Sequence, residues 1–201
     1  MSPRTVHSIE VESFAILRSL VDTSGLPPLT RAVAERVVHA SADLDYLGDL
    51  VTEEASLRRG LQALREGRPV VADVEMVAAG ITRRDLFGGL VCRVADPEAA
   101  ALAAEAGITR SAAAVRLAAR EVGPGAVWVV GCAPTALFEL LTLDADPALV
   151  VGLPVGFVGA AESKAALRER GLPSVSNVSA KGGSAVAAAA LNALLYLEDL
   201  P

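Results

Sequence analysis

Five short runs constrain the fold of this chain more than any other feature: PVVADV (69–74), LVCRVA (90–95), AVWVVG (126–131), ALVVGLP (148–154) and PSVSNV (173–178). Each carries β-branched residues, whose stiff side chains crowd a helix but suit a pleated strand. Several are apolar at successive positions rather than alternate ones, so both faces of such a strand must be covered. Ala- and Leu-rich stretches of helical character separate several of them. Strands buried on both faces and alternating with helices predict an α/β fold built on a mainly parallel sheet. Ligands of such sheets bind beyond the carboxyl ends of the strands. That rule directs attention to Asp73, to the segments after Gly131 and Gly152, and to Asn177 through Ser184.

The first third reads differently. Residues 11–21 predict a helix with an Ile/Leu face, broken by the Gly and two Pro of SGLPPLT. Thr30 is the expected N-cap of a second helix running through His39, and Thr52 that of a third, ended by Gly67. Near the other end, AVAAAALNALLYL is apolar throughout but shorter than the ~20 residues a membrane span needs, which predicts a buried core helix. With 201 residues, 52% of them hydrophobic, the chain is long enough for one domain over 1–201 with a substantial core. Aromatics are only 3%, so Val, Leu and Ala must build that core. A net charge of −6 argues against duplex nucleic acid as a partner, and an anionic small molecule would need locally concentrated cations. The start MSPRTVHSIE has no signal-type apolar segment, so the expectation is a cytoplasmic protein with no membrane partner. Cys92 and Cys132 form neither a disulfide framework nor a zinc pattern, and are expected to be buried thiols; no metal-ligand cluster is visible.

Several segments could carry chemistry. On the second helix, Val33, Val37 and Ala40 share one face while Glu35, His39 and Asp43 line another. Two readings of His39 stand: a solvated polar stripe, or a proton donor whose tautomer is fixed by a carboxylate four residues away. In GITRSAAAV, Thr109 or Ser111 suits an N-cap, and Arg110 beside the helix start favours an anion. GCAPTAL follows a strong strand signal, which puts Cys132, Ala133, Pro134 and Thr135 at a strand-to-helix turn. SAKGGSAV sets Lys181, Gly182, Gly183 and Ser184 before the apolar helix, a nest suited to carboxylate or phosphate. The chain has only two lysines, Lys164 and Lys181, and each lies in a Gly/Ser-rich segment. GLPVGFVGAAESK lacks the spacing of a dinucleotide fingerprint, which weakens the alternative of a nucleotide-dependent enzyme.

In order along residues 9–197, SIEVESFAIL, RVVHASAD, VVADVEMVAAGI, GITRSAAAV, GCAPTAL, GLPVGFVGAAESK and KGGSAVAAAALNAL together resemble the precorrin-8X methylmutases (precorrin isomerases) of cobalamin biosynthesis. The resemblance implies a Rossmann-like three-layer α/β sandwich acting as a homodimer without a cofactor. It implies a corrinoid substrate, precorrin-8X or its cobalt analogue. A methyl group would move from C-11 to C-12, giving hydrogenobyrinate or cobyrinate. It makes His39 the proton donor and acceptor, and Ser13 a substrate contact. Thr109, Arg110, Ser111, Lys164, Lys181 and the KGGS stretch become pocket-lining residues. The family commonly carries Asn where this chain has Cys132, and a thiol cannot supply both an amide donor and a carbonyl acceptor. That departure gives some footing to a rival reading, a non-catalytic corrinoid carrier.

Overall fold

The structure is a computed structural model that describes residues 6–82 and 88–197. In chain order the elements are α1 (Ser8–Leu20), α2 (Pro28–Ser41), α3 (Tyr46–Asp49), β1 (Leu50–Thr52), α4 (Glu54–Arg65), β2 (Val70–Ala72), α5 (Glu75–Gly80) and β3 (Leu90–Val91). They continue with α6 (Pro97–Ala106), α7 (Arg110–Val122), β4 (Val127–Val130), α8 (Pro134–Thr142), β5 (Leu149–Gly152), α9 (Ala160–Glu169), β6 (Ser174–Asn177) and α10 (Ser184–Tyr196). All five apolar runs become strands, β2 to β6.

The sheet order is β1-β6-β5-β4-β2-β3, and every pairing is parallel except that of β1 with β6. Numbered among themselves, the five parallel strands follow the order 2-1-3-4-5 of doubly wound, flavodoxin-like sheets. The connection reverses between β2 and β4, and the crevice at that switch point is where such sheets hold ligands. Although β2, β4 and β5 carry no polar side chain, the two-residue period still sorts them. Val70, Ala72, Val127, Val129, Leu149 and Val151 pack against α2, α4, α5 and α10. Val71, Trp128, Val130 and Val150 pack against α7, α8 and α9. The outcome is the three-layer sandwich.

Helix α10 is buried along nearly its whole length because the sheet lies on one side and α2 on the other. Small residues permit the close approach. A Cβ on Gly131 would lie 2.7 Å from the Ala187 methyl, and one on Gly80 2.8 Å from that of Ala188. Gly131 thus serves close packing. Among the described residues no helix is long and apolar enough to cross a membrane.

Four local expectations are corrected. Thr30 lies inside α2, which begins at Pro28; the Glu54 carboxylate, from α4, accepts from the Leu29 and Thr30 amides and caps the helix from outside. Thr52 ends β1 and donates to the Ser174 carbonyl at 3.0 Å instead of capping α4. Asp43 falls beyond α2, because Ala42 turns into the left-handed region (φ 54°), so the Glu35–His39–Asp43 stripe stops at His39. Cys132 is exposed and Cys92 half-buried, so neither is the core thiol expected.

Candidate active site

At the switch point, β2 leads directly into Asp73, only 2% exposed. Its carboxylate accepts from the amides of Gly131 (3.1 Å), Cys132 (2.9 Å) and Ala133 (2.9 Å), closing the turn between β4 and α8. Burial pushes the Asp73 carboxyl above its ordinary range, against the pull of those three donors. The amides that could have greeted a ligand carboxylate at this turn are therefore spent on the protein's own. Pro134 opens α8 at its first turn, as expected. Cys132 is exposed as a residue beside this turn, and partial desolvation of its thiol, with Asp73 nearby, pushes that thiol up.

One strand over, Thr109 is the N-cap of α7 and accepts from the Ala112 amide at 3.2 Å. Its hydroxyl also meets that of Thr135, on α8, at 2.7 Å. The two sequence segments are thereby joined, and they flank a cavity of about 350 Å³ lined by Ile108, Thr109, Thr135 and Phe138 among others. Arg110 is exposed and makes no ion pair among the described residues, while Ser111 is half-buried.

His39, in the last turn of α2, is half-buried. Its Nδ1 lies 2.8 Å from Ser13 Oγ, and its ring stacks on that of Phe14 with centroids 4.9 Å apart and planes 15° from parallel. The expected carboxylate neighbours do other work. Glu35 is 3% exposed and binds Arg18, Arg31 and Thr23. Burial works to raise its carboxyl, but those hydrogen bonds outweigh it and hold the group at about 2. Asp43 accepts from Lys181 Nζ at 2.7 Å.

Both lysines are engaged by partners within the chain, Lys164 in the interior and Lys181 nearer the surface. Lys164 is fully buried, and its ammonium donates to Asn177 Oδ1 (2.7 Å), Ser179 O (2.6 Å) and Lys181 O (2.6 Å). An ammonium has three N–H donors, so its capacity is filled and no donor is left for a substrate carboxylate. Burial pushes this ammonium down to about 8. Lys181 pairs with Asp43 and Asp45 (2.7 and 2.8 Å), and those bonds raise its ammonium above the ordinary range. The Asp43 pair is also what ties the end of the histidine helix to the KGGS segment.

That segment is shaped by backbone contacts. Gly182 has φ +151°, and a Cβ there would fall 2.3 Å from the Leu153 carbonyl oxygen. The Gly183 amide donates to the same oxygen at 2.9 Å, so the supposed nest is partly filled, and Ser184 is buried at the start of α10. One residue missed by the sequence reading, Asp49, holds this region. Asp49 accepts from the Val178 and Ser179 amides, from Ser179 Oγ and from Asn177 Nδ2, and Asn177 in turn meets Lys164. The proximity of Asp49 depends on the antiparallel edge strand β1, which carries little pattern in three residues. Phe14 was the other omission, although it adjoins Ser13 and is one of only four phenylalanines.

Comparison with known proteins points to one family. Residues 8–197 match the family model described as precorrin-8X methylmutase. The cobalt-precorrin-8 methylmutase of Salmonella typhimurium is 43% identical over 197 residues, covering 94% of each chain. The precorrin-8X methylmutase of a Sinorhizobium species is 43% identical over 199 residues, covering 95% of this chain and 94% of its own. Among solved structures, the precorrin-8x methyl mutase of Thermus thermophilus superposes with a TM-score of 0.85 at 37% identity, covering 95% of this chain and 97% of that one.

Proposed function

The chain belongs to the precorrin-8X methylmutase family, isomerases of cobalamin biosynthesis, and from that premise we propose that it moves a methyl group from C-11 to C-12 of a corrin precursor, with His39 as the proton carrier. The substrate is precorrin-8X, converted to hydrogenobyrinate, or the cobalt analogue, converted to cobyrinate. Relatives named for each are equally similar to this chain.

The observation that carries the reading is the Ser13–His39 contact of 2.8 Å at Nδ1. A methyl shift around a conjugated macrocycle needs no external nucleophile; it needs the right tautomer and charge distribution. A proton delivered to the macrocycle makes the electron-poor system that accepts the methyl, and its return sets the product's double bonds. The group that does this must hold position in both protonation states. A serine hydroxyl both donates and accepts, so it binds Nδ1 of the neutral ring and Nδ1–H of the imidazolium alike. Nε2 is then the nitrogen assigned to the exchange. General acid–base work of this kind contributes ~10²–10⁴-fold, and fixing the ring against the histidine adds to it.

The substrate's acetate and propionate arms meet a protein of net charge −6, so local cations matter. Arg110, at the start of α7, is exposed and without an ion pair among the described residues, which makes it a candidate cation for them, with the hydroxyls of Thr109, Thr135 and Ser111 nearby; charge-assisted bonds supply the strength. Lys181 can join only by leaving Asp43 and Asp45. The macrocycle then lies across the carboxyl edge of the sheet, and the family's homodimeric assembly belongs to the same reading. The test is His39→Ala incubated with precorrin-8X and followed by absorption spectroscopy. Conversion is expected to stop while corrinoid product still binds. Near-normal turnover would remove the proton role.

A further inference from the structure

We infer that Phe14 is a positioning residue for His39, acting with Ser13 as a two-point clamp on the imidazole; this rests on the acid–base reading of His39. Consecutive residues of one helix restrain different motions of the ring. Ser13 Oγ, 2.8 Å from Nδ1, fixes which edge of the imidazole faces α1. Phe14, stacked at 4.9 Å and 15°, fixes the plane. Either restraint alone leaves a freedom: a hydrogen bond permits the ring to rock about it, and a stack permits it to turn in its own plane.

The clamp is itself held. The Arg36 guanidinium lies 4.7 Å from the Phe14 centroid and 4.8 Å from that of Tyr196, on α10, and it pairs with Glu10 at 2.6 Å. Arg18, 5.6 Å from the Phe14 centroid, pairs with buried Glu35. Phe14 is thus fixed relative to α2 and α10, not merely to its own helix. Cations over an aromatic face are attracted by its quadrupole, and a half-buried ring held on such contacts makes a firm platform. A proton donor displaced by even an ångström loses much of its effect, so the platform matters for turnover more than for substrate affinity.

The chain has only two histidines, so imidazole resonances can be followed directly, with exposed His7 as the internal reference. Phe14→Leu keeps an apolar side chain but removes the ring. It is expected to lower kcat ~3–10-fold, the population factor of one aromatic stack, with KM unchanged. The His39 carbon-bound protons should move downfield as the ring-current shielding disappears, while those of His7 stay in place. Phe14→Tyr keeps the stack and should hold both readouts at wild-type values. Unchanged kcat in Phe14→Leu, a loss of kcat without movement of the His39 resonances, or a tyrosine variant as impaired as leucine would each overturn the inference. The underlying reading fails separately, if His39→Ala still turns over.

Discussion

Replacing Glu35 with Gln preserves the side chain's shape while removing its charge and turning one acceptor oxygen into a donor, which makes it a sharp probe of what anchors α1 to the body of the protein. In the wild type, the carboxylate accepts from Arg18 Nη2 at 2.6 Å, Arg31 Nε at 2.8 Å and Thr23 Oγ1 at 2.5 Å. These bonds hold its folded-state pKa at about 2, against an ordinary 4.5. At ~1.4 kcal/mol per tenfold change, that difference corresponds to about 3 kcal/mol. Arg18 is 51% exposed, so water screens part of the interaction, and about 2 kcal/mol is the expected contribution. For a chain of this size the variant should melt ~4–8 °C lower at pH 7. The contribution is fully present above pH 4.5 and is lost as the pH falls toward 2, because only the unfolded chain binds the proton over that window. Urea unfolding followed by circular dichroism, at several pH values from 7 to 2.5, should show the gap between wild type and Glu35→Gln closing in acid. A gap independent of pH would refute the argument. Turnover should fall as well, since Ser13 and Phe14 reach His39 from the helix that Glu35 secures.

Three further outcomes follow from the site. Lys164→Met leaves the Asn177 amide oxygen and two carbonyls without their donor, at a cost of about 2–4 kcal/mol, and amide hydrogen exchange over residues 178–183 should quicken. Because burial holds the folded-state ammonium at about 8 while the unfolded one titrates near 10.5, the wild type should gain stability between those pH values, and the Met variant should not. Gly182→Ala forces a methyl to within 2.3 Å of the Leu153 carbonyl oxygen; a loss of about 2–3 kcal/mol in thermal unfolding is expected, with weaker substrate binding. Arg110→Ala should raise KM with little change in kcat, since its role is to hold the substrate's carboxylates; steady-state kinetics would show an unchanged KM if that role is wrong.

The legible and illegible parts of this molecule divide along physical lines. Strands β2 to β6 could be read because an apolar β-branched run is a local signal whose consequence, burial on both faces, does not depend on its partners. β1 could not, since three residues pairing antiparallel at an edge leave little trace in periodicity. Where the cap is local the sequence narrowed it to two neighbours, Thr109 and Ser111, of which Thr109 caps α7; where it comes from a distant element the reading failed, as when Glu54 of α4 caps α2.

The same division runs through the site. Sequence pointed to the carboxyl ends of the strands and to His39, because strand–helix alternation and residue chemistry are local properties, and the ordered motifs pointed to the family. It also offered Lys164 and Lys181 as carboxylate contacts and Glu35 as the histidine's partner, since charge and spacing alone make them suitable. Tertiary structure gives each of them a partner within the chain. A buried charge must find its compensation nearby, and the folded chain supplies it internally, with carbonyls for Lys164 and guanidiniums for Glu35, while Lys181, nearer the surface, pairs with Asp43 and Asp45. What holds His39 is instead a serine and a phenylalanine more than twenty residues away in sequence, on a helix that only packing brings to its side.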